Sequence, residues 1–228
     1  MVKENIARIT ESIAAASSVK GHGSDKITIV AVSKGRSIDQ IKEAVDAGIP
    51  DIGENRVQEA VLKHKELSVI RYTLSAIRWH MVGHLQTNKV KDAVMIFDLI
   101  HSVDSLRLAI EIDKQALKIN KIQDILIEVN TSGEESKYGI RVEEAGALAR
   151  SVSELKNVRL LGLMTLAHFT DDPESTRPYF RMLRELRDKI AASKDELRVL
   201  SMGMTDDFKV AVEEGSNMVR IGRAIFEG

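Results

Sequence analysis

The sequence predicts an α/β fold: a (β/α)8 TIM barrel with one extra helix at the N-terminus. Three observations predict it. Strand-like and helix-like segments alternate along nearly the whole chain, the order that builds parallel strands with helices outside them. Several strand candidates, "ITIVAV", "DILIEV" and "LLGLMTL", are almost continuous in apolar residues, as parallel strands covered on both faces are. Finally, eight strand candidates fit into 228 residues, an ordinary length for one such barrel. A doubly wound open sheet is the alternative with the same element order.

The added helix comes first, at 4–18, with Ile6, Ile9 and Ile13 at helical spacing. Strands are predicted at 27–33, 50–53, 77–82, 96–101, 123–130, 158–165, 197–202 and 217–221. Helices are predicted between and after them at 38–47, 55–67, 86–93, 104–119, 141–154, 173–193 and 206–214. Ser37 and Gln40 have capping-box spacing, and Gly48 stands where a helix C-cap belongs. Thr205 and Asp206 are candidate caps for the helix that stops at Gly215. "IKEAVDAGIPDIG" and "FKVAVEEGSNMVRIG" repeat one pattern: helix, stop glycine, short strand, glycine. A recurring unit of this kind fits one barrel domain over 1–228 better than two separate domains.

The charge balance is even, with 33 Lys and Arg against 34 Asp and Glu. No basic run marks a nucleic-acid footprint. The longest apolar runs are too short to span a bilayer, and the N-terminus lacks the pattern of a secretory signal. There is no cysteine, which removes disulfides, thiolate chemistry and cysteine–zinc sites. The expectation is a cytoplasmic protein with no nucleic-acid or membrane partner.

In such a barrel the chemistry sits at the C-terminal ends of the strands, with phosphate often held after strands seven and eight. Lys34 ends the first strand, Asn55 follows the second in "IGENRVQEA", and His80 lies in the third. Strand seven ends in "SMGMTDD" and strand eight in "RIGRAIFEG". Ser201 offers a hydroxyl there, Gly203 and Gly222 allow close backbone approach, and Arg220 and Arg223 add positive charge. The same glycines also serve tight βα turns. A lysine at neutral pH is ordinarily a protonated, poor nucleophile; burial or a neighbouring cation activates it for Schiff-base chemistry. Lysine plus phosphate cup leaves two readings: pyridoxal 5′-phosphate (PLP) held on Lys34, or an aldolase attacking a phosphorylated carbonyl substrate.

"AVSKGRSIDQIKEAVDAGIPDIGENRVQEA", "RWHMVGHLQTNKVK", "IHSVDS", "SGEESKYGI", "GLMTL" and "SMGMTDDFKVAVEEGSNMVRIGRAIF" together resemble the PLP homeostasis protein family, small PLP-binding proteins that share a barrel with the N-terminal domain of alanine racemase. The resemblance runs through nearly the whole chain in one order. It implies that Lys34 carries PLP as a Schiff base. It also implies that Ser201, Gly222 and Arg223 help hold the phosphate, the latter two largely through backbone. Arg220 matches the arginine facing the pyridine nitrogen, and Asn55 and His80 match positions lining the cofactor. Some relatives have threonine at position 223, which points to the backbone rather than the side chain.

A cation beside the pyridine nitrogen disfavours its protonation, and an unprotonated ring is a weaker electron sink. The chain reaches Gly228 directly after the eighth unit, so the racemase's C-terminal domain is not expected. The resemblance therefore implies a PLP-binding protein with no catalytic residues of its own, acting in intracellular PLP supply. Its partners are PLP and apo PLP-dependent enzymes as recipients, and the expected state is a monomer. The alternatives are a minimal PLP-dependent amino-acid racemase and a cofactor-free Schiff-base aldolase. No metal site is expected: His80 and His84 are four apart, but Gly83 lies between them and His80 belongs to a strand. Met164, Met202 and Met204 are read as core or cofactor walls. "TDDPESTRP" is read as a βα loop, and Lys137 and Tyr138 as a turn on the cofactor side.

Overall fold

The computed structural model describes residues 1–18, 27–69, 77–168, 170–191 and 197–227. Its strands are β1 (Thr28–Val32), β2 (Asp51–Glu54), β3 (Arg78–Met81), β4 (Leu99–Val103), β5 (Gln123–Asn130), β6 (Ile140–Arg141), β7 (Val158–Met164), β8 (Val199–Ser201) and β9 (Met218–Ile221). They hydrogen-bond in the order β4-β3-β2-β1-β9-β8-β7-β5-β6, and a further β4–β5 pairing closes the ring. Eight parallel strands therefore form a closed barrel, and the predicted (β/α)8 architecture holds. The two-residue β6, which the sequence reading lacks, only extends β5, with Ile140 opposite Val129.

The helices are α1 (Val2–Ser18), α2 (Ile38–Asp46), α3 (Val57–Val69), α4 (Val90–Ile96), α5 (Leu106–Lys118), α6 (Val142–Val152), α7 (Arg177–Ala191), α8 (Phe208–Glu213) and α9 (Arg223–Phe226). The helix following the last barrel strand, α9, is a single turn, too small to cover its share of the barrel. The added helix α1 fills that place and packs on α2, α8 and α9. Ile6, Ile9 and Ile13 bury its inner stripe, and Asn5 Nδ2 donates to Ile225 O at 3.0 Å. Burying that stripe gains the hydrophobic term that isolated helix propensity cannot supply.

Two apolar layers result. Val30, Val82, Leu99, Leu126, Met164 and Met218 fill the barrel interior, while a larger cluster lies between strands and helices. This is why the strands are apolar on both faces. The Ser37 capping box forms as predicted. The repeated unit also has one geometry twice: Gly48 and Gly215 stop α2 and α8 at φ +95° and +96°, a conformation that favours glycine.

Four predicted elements are corrected. The predicted helix at 86–93 becomes a 3-10 turn, Thr87–Lys89, followed by α4, and the predicted strand at 96–101 becomes Leu99–Val103. The predicted strand starts at Ile96 because Ile96 and Phe97 lead into Leu99 and Ile100 as an almost continuous apolar stretch. Val90, Ala93, Val94 and Phe97 are all buried, a helical spacing that overrides it. Thr205 and Asp206 do not cap α8, which starts later; Asp207 closes the turn by accepting from Met204 N–H at 2.5 Å. The predicted helix at 173–193 opens with a 3-10 turn, Pro173–Thr176, before α7, and its last two positions lie outside the described residues.

No helix among the described residues is long and apolar enough to cross a membrane. No group of three or more His, Asp or Glu among them could hold a metal ion.

Candidate functional site

Strand alternation brings Lys34 to the barrel mouth. Val30 and Val32 contribute to the interior cluster, and the two-residue period puts Lys34 in the same phase just beyond β1. Its side chain is exposed and makes no hydrogen bond or ion pair among the described residues.

The chain around Lys34 is held from behind. Buried Lys63, on α3, donates to Ser33 O and Glu54 Oε1 at 2.6 Å each and to Glu59 Oε1 at 2.7 Å. Ser33 Oγ donates to Glu54 Oε1 at 2.5 Å, and Gly35 N–H donates to Glu59 Oε1 at 2.6 Å. Burial pushes the Glu54 carboxyl up, against the pull of Lys63 and Ser33. Burial also acts to raise Glu59, but hydrogen bonds from Lys63 and Gly35 outweigh it and leave Glu59 below its ordinary value.

A second network runs up the barrel interior. His80 Nε2 lies 2.9 Å from Asp51 Oδ1, and His80 Nδ1 lies 2.9 Å from His101 Nε2. His101 Nδ1 lies 2.9 Å from Ser201 Oγ, which accepts from Arg220 Nη1 at 2.6 Å. Burial holds His101 well below the ordinary histidine range, with His80 and Arg220 pushing the same way, so it is neutral. Burial acts to raise Asp51, but His80 and Arg78 together bring it below the ordinary value, so it is an acceptor. The donors and acceptors then allow one fully satisfied assignment. The Ser201 hydroxyl donates to His101 Nδ1, His101 Nε2–H donates to His80 Nδ1, and His80 Nε2–H donates to Asp51. Every donor in the chain points from Arg220 toward Asp51.

Arg220 tops this chain. It is 3% exposed and donates through Nη2 to Thr165 O at 2.8 Å. Burial lowers it to about 10, while the fields of Asp207 and Glu128 oppose the shift. It makes no ion pair with a carboxylate among the described residues. Glu128, also buried, is lifted by burial to about 7; Asp104 adds to the rise and Arg220 opposes it.

The turns after β8 and β9 are built for close approach. Gly203 has φ +94°, and a Cβ there would stand 2.6 Å from the Ala211 Cβ. A Cβ on Gly222 would come within 3.3 Å of Val32 O, so this turn lies against the end of β1. The Arg223 side chain is exposed and pairs with Asp206 Oδ2 at 2.5 Å, leaving its backbone at the turn. Asn55 is half-buried after β2, with Gly83 packed against its backbone.

Lys34, Asn55, Ser201, Arg220, Gly222 and Arg223 thus gather at one end of the barrel. The His80 ring lies between Asp51 and His101, hydrogen-bonded to both. Both hydrogen-bonding roles of Ser201 Oγ are used inside the barrel. The set fits a phosphorylated aromatic aldehyde: an uncommitted amine, a buried guanidinium without a carboxylate partner, and a glycine-lined turn. A cavity of about 330 Å³ lies beside the mouth, lined in part by Tyr138, His168, Pro173 and Met204. The larger cavity, about 820 Å³, lies beneath α1 and is lined in part by Asp51, at the far end of the interior chain from Arg220.

The alanine racemase N-terminal domain model matches residues 5–228. The pyridoxal phosphate homeostasis protein of Aquifex aeolicus is 44% identical over 224 residues, which cover 98% of this chain and 96% of that one. The chain belongs to the pyridoxal phosphate homeostasis protein family. The family member of Escherichia coli K12 is 37% identical over 228 residues, 99% of this chain and 95% of its own. The structure of PipY from Synechococcus elongatus with PLP bound matches at a TM-score of 0.85 with 31% identity, covering 99% of this chain and 100% of that one. An alanine racemase of Clostridium difficile shares the fold at 15% identity and a TM-score of 0.72; the match covers 59% of that longer chain.

Sequence reasoning missed His101, Glu128, Asp51, Lys63, Glu54 and Glu59. His101 and Glu54 lay inside quoted blocks, yet nothing local ties His101 to a serine a hundred residues away. Glu59 and Lys63 form an i,i+4 pair, ordinarily read as a surface pair. The available signal was Glu54, a carboxylate at the end of an otherwise buried strand.

Proposed function

We propose that this chain holds PLP as a Schiff base on Lys34 and serves intracellular PLP homeostasis, with little or no catalytic turnover. The observation that carries this is the exposed, uncommitted Lys34 amine at the same barrel mouth as the buried, carboxylate-free Arg220. When bound, PLP supplies an aldehyde that exchanges between amines and an electron sink whose strength depends on protonation of its ring nitrogen. Lys34 Nζ, exposed and without a partner among the described residues, would be the amine that holds the aldehyde carbon. Arg220 would be the cation facing the ring nitrogen, where its charge would disfavour protonation. The hydrogen-bonded chain orients Arg220, and His80, a member of that chain, lines the site. The turn at Gly222 and Arg223 offers backbone N–H groups to the phosphate, and Asn55 lines the mouth.

The proposal extends to one cofactor-binding domain over 1–228, a monomer in the cytoplasm that hands PLP to apo-enzymes. Borohydride reduction of the purified protein followed by peptide mass mapping tests the core of it. A phosphopyridoxyl group on Lys34, absent in Lys34→Ala, is expected. An unmodified Lys34 after incubation with PLP overturns the assignment. Steady conversion of L- to D-alanine, lost in Lys34→Ala, would overturn the low-turnover reading in favour of a minimal racemase.

A further inference from the structure

We propose that Lys63 is a positioning residue for Lys34, acting as the hub of a charged buckle that fixes the backbone on both sides of it. The proposal rests on the reading of Lys34 as the PLP anchor. Its basis is the pattern of contacts. An ammonium has three donors, and Lys63 uses them on three acceptors, all within 2.7 Å. One acceptor, Ser33 O, immediately precedes Lys34. Another, Glu59 Oε1, also accepts from Gly35 N–H, immediately after Lys34. The third, Glu54 Oε1, accepts from the Ser33 hydroxyl. Every arm returns to a neighbour of Lys34, and none touches Lys34 itself.

The backbone there needs such a hold. β1 ends at Val32, so Lys34 lies beyond the last recorded pairing of the sheet. Gly35 adopts φ +68°, a turn conformation that lets the chain double back with Arg36 N–H donating to Ser33 O at 2.9 Å. Ser33 N–H holds to Gly53 O at 2.9 Å. A free turn would let the amine sweep through a range of positions; the buckle narrows them. Holding a reacting amine at one place lowers the cost of closing on its aldehyde. An ion pair needed only for folding has no reason to bracket one residue. Lys63 is 8% exposed and reaches inward from α3 to do so.

The experiment compares wild type, Lys63→Met and Glu59→Gln, with PLP itself as the probe. Methionine keeps length and apolar volume but loses all three donors. Glutamine at 59 leaves the Lys63–Glu54 pair in place and weakens only the arm to Gly35, so it serves if Lys63→Met fails to fold. Hydrogen exchange at the Gly35 amide, measured without PLP, reads the tether directly. PLP retention and the pH profile of borohydride trapping at Lys34 read its consequence. Expected are at least tenfold faster Gly35 exchange, at least tenfold weaker PLP retention in Lys63→Met with a smaller loss in Glu59→Gln, and an altered trapping profile. Folded variants with wild-type exchange, retention and pH profile overturn the proposal. A wild-type protein that takes no PLP on Lys34, yet loses Gly35 protection in the variants, overturns the cofactor reading and leaves the tether standing.

Discussion

The chain of groups inside the barrel and the buckle behind β1 are both buried, yet they hold their cations by different means. The interior chain spans five strands, from Asp51 on β2 to Arg220 on β9, and puts two imidazoles and a hydroxyl between its charged ends. Its geometry transmits direction: each hydroxyl or imidazole has one donor and one acceptor in use, so turning one turns the next. The buckle is compact and charged throughout, with one ammonium between two carboxylates of opposite shift, Glu54 raised and Glu59 lowered. It transmits nothing along its length and instead pins a short piece of backbone. The difference teaches that an arginine needing orientation and a lysine needing a fixed root are served by different networks, although both face one mouth.

Breaking the buckle should have the largest effect. Lys63→Met leaves Glu54 buried without its cation, a loss of about 4 kcal/mol by denaturant unfolding at neutral pH. Because the Glu54 carboxyl is raised, it takes up its proton above its ordinary value, so the penalty shrinks as pH falls through that raised pKa. A penalty independent of pH would mean that the charge of Glu54 is not what Lys63 compensates.

Breaking the interior chain comes next. His101→Leu orphans the Ser201 proton and His80 Nδ1 together, a loss of about 3 kcal/mol in unfolding free energy. Trapping of PLP at Lys34 should survive, because the buckle is untouched, while the visible absorbance of the bound cofactor shifts as Arg220 loses its guide. Loss of trapping in a folded His101→Leu protein would erase the distinction between the two networks.

Glu128 sharpens the comparison at the upper end of the chain. Its folded pKa, about 7, stands above the ordinary 4.5, so the folded state binds its proton more tightly. The stability this gives is fully present below about pH 4.5 and is lost as pH rises through about 7. Glu128→Gln should remove about 3 kcal/mol of pH-dependent change across that window, read from urea midpoints at several pH values. The smallest effect belongs to the rim. Arg223→Thr removes an ion pair whose side chains are 61% and 48% exposed, worth less than about 0.5 kcal/mol. PLP retention should stay at the wild-type level if Arg223 serves through its backbone.

What could be read from the sequence follows the range of the interaction. The capping box at Ser37 and Gln40, the stop glycines Gly48 and Gly215, and the apolar strands are decided within a few residues, and they were legible. So was the gathering of Lys34, Ser201, Arg220 and Gly222 at one mouth, because strand ends in a barrel share a face. The start of the fourth strand was placed too early because Ile96 and Phe97 satisfy both strand and helix, and only packing of Val90, Ala93, Val94 and Phe97 chose between them. The hydrogen bonds of His80 to Asp51 and His101 were not legible because they depend on the register of neighbouring strands.

The sequence by itself determined the fold class and the family, and it singled out Lys34 as the candidate anchor, since periodicity, punctuation and ordered motifs are properties of one strand of text. Only the tertiary structure decided which groups support that lysine and the arginine near it. Lys63 becomes a buckle, rather than a surface partner of Glu59, when α3 packs over the β1–β2 seam and water is excluded around Glu54. His101 becomes a relay when closure of the barrel brings β4 within 2.9 Å of Ser201 on β8. The energy of a buried polar contact depends on what surrounds it after folding, and no local stretch of sequence carries that information.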